Sequence, residues 1–181
     1  MSLVSTPSPF TAALAAFASW VGKTPLYDAV AGVAWVVPAV QTVHILAIAV
    51  VFASAALIDL RVLGLVDRAK PLEALFARFL RPIGLAIAVL TVSGLLLIVS
   101  EPTRAIFRVV FWIKLALVLA ASLATWWLAF VSRQRGLALA DGGVATLDLK
   151  IIAALSLLAW LAIIVAGRWI GYAIAWDGAP Q

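Results

Sequence analysis

The chain has 181 residues, of which 66% are hydrophobic and 12% charged, with a formal net charge of +5 and a mean hydropathy of +1.17. Soluble domains are roughly 45–50% apolar and about 25% charged, so a chain of this size cannot hide so much apolar surface from water. That excludes a soluble enzyme, a nucleic-acid reader and a disordered chain, and leaves an all-α polytopic membrane protein. With no cysteine, one histidine and one methionine, the chain by itself offers no disulfide, no thiolate chemistry and no zinc or iron–sulfur site.

Near the start, Phe10, Leu14, Phe17 and Val21 recur at spacings of four, three and four, one apolar stripe on a helix. No charge precedes Lys23, so the basic start of a secretory signal is missing, and the stripe reads as an interfacial helix. Thr24-Pro25 reads as an N-cap and first-turn pair opening a short helix up to Gly32. Residues 8–32 are therefore expected to form interfacial helices.

A spanning helix needs ~20 mostly apolar residues to cross ~30 Å of hydrocarbon. Four segments qualify: residues 38–58, opened by Pro38; 82–99; 109–131, with Lys114 inside; and 151–174, with Arg168 inside. Open strands would leave unpaired backbone groups in lipid, and four segments are too few to close a barrel. Between the first two spans, Leu72, Leu75, Phe76 and Phe79 share a face, with Glu73, Arg78 and Arg81 off it. This predicts a second surface-lying helix. The loop at 133–148 contains Gly142-Gly143 and reads as a short turn. The whole chain, 1–181, is expected to be one transmembrane domain: four antiparallel helices with short connections.

Orientation follows the basic residues. The loops between the first and second and between the third and fourth spans hold eight (Arg61, Arg68, Lys70, Arg78, Arg81, Arg133, Arg135 and Lys150), against three outside the spans on the other side (Lys23, Arg104 and Arg108). The bias places both termini outside and the two larger basic loops in the cytoplasm. The surplus charge reads as topology and attraction to anionic lipid.

Charges at membrane depth are costly and point to function. At ~1.5 Å per residue, His44 lies ~9 Å from the outer end of its span, Lys114 ~8 Å, and Ser93 and Arg168 ~12 Å each. Gln41 precedes His44 by three residues and Tyr172 follows Arg168 by four, so each pair is expected to share a helix face. One polar layer thus recurs on four helices, while the other half offers small hydroxyls such as Ser54, Ser122, Thr125 and Ser156. Gln41, His44, Ser93, Lys114, Arg168 and Tyr172 are expected to line one pocket, with Glu101 as the nearby acid. Its surplus positive charge calls for an anion or a strong acceptor: a carboxylate, a small inorganic anion, a lipid phosphate or a quinone carbonyl. A structural clasp of Arg168 on Glu101, and an interfacial ion pair between Asp59 and Arg61, are the plainer readings of those charges.

Three function classes compete. The first binds, senses or transports a small anionic or quinone-like ligand. The second is a redox module with haem b, which needs axial ligands and so needs His44 from two copies of the chain. The third is an accessory subunit of a larger membrane complex. The expected partners are lipids, the ligand, and a homo-oligomer or membrane-complex neighbour. Paired carboxylates, a metal triad and an activated nucleophile are all missing from the spans, so catalysis has the least support.

The set Pro38-x-x-Gln41-x-x-His44, Asp59-Leu60-Arg61-x-Leu63-Gly64, Ser93-Gly94-Leu95-Leu96 before Glu101-Pro102, Phe111-x-x-Lys114 and Gly167-Arg168-Trp169-Ile170-Gly171-Tyr172 resembles an uncharacterised bacterial inner-membrane family, a domain of unknown function. The resemblance covers residues 34–174. It implies a four-helix membrane protein and supplies no activity. In that family Glu stands at the position of Gln41, so the pocket here would be the more positive.

Overall fold

The computed structural model describes residues 9–66, 72–134, 145–169 and 172. Seven helices follow in order: α1 (Pro9–Val21), α2 (Pro25–Ala31), α3 (Val36–Val62), α4 (Leu72–Ser100), α5 (Pro102–Ile106), α6 (Val109–Gln134) and α7 (Leu147–Trp169). Four of them, α3, α4, α6 and α7, are long and apolar enough to cross a membrane. The chain is a multi-pass helical membrane protein. These helices have 27, 29, 26 and 23 residues. At 1.5 Å per residue that is roughly 35–44 Å, so their ends project beyond the hydrocarbon.

α3 packs chiefly on α4, and α6 on α7; α7 then lies against α3 and joins the two hairpins, while α4 meets α6 more lightly. One apolar cluster gathers all four helices at the end of the α3–α4 and α6–α7 connections, through Ile58, Phe76, Ile83, Leu128, Leu149 and Ala153. A second fills the middle with Ala47, Val51, Ala55, Ala86, Ala121, Trp160 and Ile163. Its four alanines let the helices approach closely, which is how packing is gained where lipid is as apolar as the side chains. At the opposite end Ala18 of α1 packs on Ile106 and Phe107 at α5. Phe10, Phe17 and Trp20 stay exposed. Large apolar side chains also cover the outside of α6, including Leu115, Leu119, Leu123 and Phe130.

Local chemistry sets the element ends. Thr24 Oγ1 accepts from the Tyr27 N–H at 3.3 Å, and Pro25 opens α2, as the sequence predicts. α3 ends where Gly64 takes φ 76° and the Leu65 N–H reaches back to the Leu60 carbonyl at 2.9 Å. This 6→1 closure needs a left-handed residue, which glycine supplies without a Cβ clash.

Two expectations change. The amphipathic stretch before the second span is no separate surface helix: α4 runs unbroken from Leu72 through Pro82 to Ser100. Its apolar stripe of Leu72, Leu75, Phe76 and Leu80 is buried. Burial in the four-helix cluster outweighs lying at the surface, and that continuity outweighs the single helix bond that an internal proline removes. The fourth span ends at Trp169, and Tyr172 sits in a turn, its N–H on the Trp169 carbonyl at 2.9 Å. The 133–148 turn with Gly142-Gly143 falls mostly outside the described residues.

Candidate functional site

The polar layer continues the buried stripe of each spanning helix past the middle cluster. His44 lies three residues before buried Ala47 on α3; Ser93 lies seven after Ala86 on α4. Lys114 lies seven before Ala121 on α6, and Gly167 four after Ile163 on α7. Spacings of three, four and seven keep a residue on one helix face. The face that packs the core therefore carries these four positions to the end of the bundle where α1, α2 and α5 sit.

There His44 Nδ1 and Ser93 Oγ are 2.8 Å apart. The Ser93 hydroxyl donates its one hydrogen to the Val89 carbonyl at 2.6 Å. His44 Nδ1–H must then be the donor to Ser93 Oγ, which leaves Nε2 as the nitrogen available to anything else. Two glycines border the group. A Cβ on Gly94 would stand 3.5 Å from His44 Cε1, and one on Gly167 would stand 3.4 Å from Lys114 Nζ. The imidazole thus lies along α4 and the ammonium along α7. Lys114 is near enough to His44 for its charge to act on the ring. Three helices supply polar groups and the fourth supplies a glycine against which the ammonium rests. Trp112 steadies the start of α6 by donating from Nε1 to the Ile106 carbonyl at 3.0 Å. Beside the site, an open apolar groove of about 460 Å³ runs between α3 and α4, lined by Val40, Val43, Val89, Val92 and Leu96, with Ser93 at its edge.

The other expected pocket residues lie apart from this group. Gln41 and Arg168 are exposed. Arg168 follows Gly167, and one residue turns the side chain by about 100°, away from the face that meets Lys114. Tyr172 is 74% exposed and beyond the end of α7, so it does not share a helix face with Arg168. Glu101 forms an exposed ion pair with Arg104 at 2.9 Å. The acid is held by its neighbour three residues on, the shortest route available, and the clasp on Arg168 is replaced by this pair.

Asp59 also departs from expectation. It is wholly buried, and neither carboxylate oxygen has a hydrogen-bond partner, so it is not the interfacial ion pair with Arg61 that the sequence suggests. On α3 it follows Ala55 by four, a spacing that places it on the buried face; its position at the end of the apolar run hid this. Among the described residues no group of three or more His, Cys, Asp or Glu side chains is placed to hold a metal ion.

No curated protein and no solved structure matches the chain. A family model does match, over residues 10–173, a range that contains every helix except the first residue of α1. The chain belongs to that family, DUF6644, a family of unknown function.

Proposed function

We propose that the protein binds a small anionic or quinone-like ligand at the layer formed by His44, Ser93 and Lys114. The observation that carries this reading is the meeting of His44 with Ser93 across α3 and α4 while Lys114 reaches Gly167 on α7. An ammonium in the spanning part of a bundle is expensive, and among the described residues no acid shares its site. A ligand that accepts from the ammonium offsets that cost. His44 Nε2 lies in the same layer and can contact the ligand's other side.

The basic loops support an inner-membrane placement with both termini outside, so that the layer opens to the outer leaflet. Binding or sensing fits better than transport, because among the described residues no second layer of histidine, serine and lysine stands in the opposite half of the bundle. An accessory role in a larger complex rests only on the apolar exterior and ranks below ligand binding.

The test is to purify the parent, Lys114→Ala and Arg168→Ala in one detergent. Retained small molecules are identified by native mass spectrometry, and thermal midpoints are recorded. The parent is expected to carry an anion or acceptor that Lys114→Ala loses and that the exposed Arg168→Ala retains. A parent free of ligand, with Lys114→Ala merely unstable, refutes the proposal. A Soret band in the parent replaces it with the haem b reading through His44.

A further inference from the structure

The half of the bundle away from His44 holds a second polar cluster. Asp59 has no solvent exposure and Ser156 only 1%. Both carboxylate oxygens of Asp59 and the Ser156 hydroxyl lack hydrogen-bond partners, as does Trp160 Nε1. Ser156 faces Asp59 across the α3–α7 contact, close enough to act on the carboxyl yet outside hydrogen-bonding geometry. Trp160 is one turn further along the same face of α7, and is also buried.

A buried carboxylate left bare is among the most costly arrangements in a fold. Among the described residues no hydrogen bond relieves it: Arg61, two residues further along the same helix and itself buried, donates to neither Asp59 oxygen. On the elements packed around it, Glu73, Arg78 and Arg81 of α4 are exposed, as are Arg133 of α6 and Asp148 of α7; Lys150 of α7 is half-buried, and six residues from Ser156.

We propose that Asp59 and Ser156 form a binding site for one small monovalent cation, a proton or a sodium ion. Either would neutralise the carboxyl and join its oxygens to Ser156 Oγ. A proton would make the carboxyl a donor to that hydroxyl. A sodium ion would take the carboxylate and hydroxyl oxygens as ligands. A divalent or transition metal is a poor match, because among the described residues the carboxylate belongs to no group of three or more His, Cys, Asp or Glu side chains. Trp160 Nε1–H is a donor and cannot ligate a cation. The site does not depend on the ligand proposed for His44, since the two lie on opposite sides of the middle apolar cluster.

The experiment uses the full chain in lipid nanodiscs at neutral pH. Infrared spectra are taken for the parent and Asp59→Asn, and thermal midpoints are compared in sodium chloride and choline chloride. A carboxylic-acid C=O band present in the parent and lost in Asp59→Asn identifies the proton. A sodium-specific rise in the parent's midpoint, absent in Asp59→Asn, identifies sodium. If Asp59→Asn does not fold, Ser156→Ala takes its place, with the band expected to shift or the sodium effect to shrink several-fold. A parent with neither the acid band nor a sodium effect overturns the proposal.

Discussion

Replacing Ser93 with alanine tests the geometry on which the candidate site rests. Ser93 Oγ accepts from His44 Nδ1–H at 2.8 Å, and its own hydrogen goes to the Val89 carbonyl. In Ser93→Ala that carbonyl keeps its helical bond, but the imidazole N–H loses its acceptor. Stranding a buried donor costs about 1–3 kcal/mol, and because His44 is only half-buried the lower part of that range, about 1–2 kcal/mol, applies. For a chain of this size each kcal/mol moves the thermal midpoint by about 2–4 °C, so a fall of about 2–8 °C is expected. Thr91→Ala is the control: its hydroxyl bonds only the Ile87 carbonyl of its own helix, from an exposed position, and its loss should stay within about 0.5 kcal/mol. A double-mutant cycle with His44→Ala isolates the pair and should give a coupling of about 0.5–1.5 kcal/mol. Equal midpoints for Ser93→Ala and Thr91→Ala, with no coupling in the cycle, would refute the contact and remove His44 from the layer.

Other perturbations follow from the same structure. Gly167→Ala should fold normally, since its Cβ would meet only the flexible end of Lys114 at 3.4 Å, whereas Gly167→Leu should push the ammonium aside and abolish ligand retention in native mass spectrometry; undiminished retention would sink the role given to Lys114. Phe76 is 1% exposed in the four-helix cluster, so Phe76→Ala should cost about 3–5 kcal/mol in unfolding titrations, and a cost below about 1 kcal/mol would return the start of α4 to the membrane surface. Glu101→Gln breaks an exposed ion pair of a kind worth about 0–1 kcal/mol; it should leave both the midpoint and ligand retention unchanged, and a large loss would mean that Glu101 serves the site after all. Gly64→Ala forces a Cβ into φ 76° and should lower stability by about 1 kcal/mol in the same titrations.

The sequence determined that the chain is helical and spans a membrane, because hydropathy and span length are sums over neighbours and need no partner helix. It also placed His44 and Ser93 at similar depth, since depth along a helix is only residue count times rise. His44 and Ser93 do meet, as similar depth allows. Depth leaves the facing undetermined, however, and facing separates Lys114, beside Gly167, from Arg168, one residue later and exposed. The same limit applies to Asp59. Chain order puts it at the end of an apolar run, where an ion pair with Arg61 is the simplest reading. Only the packing of the bundle around α3 seals it in, because burial is a property of what lies across the contact and not of the helix that carries the residue. The start of α4 shows the same physics: an amphipathic stripe looks alike whether lipid or protein covers it, and here Phe76 and Ile83 find the other three helices.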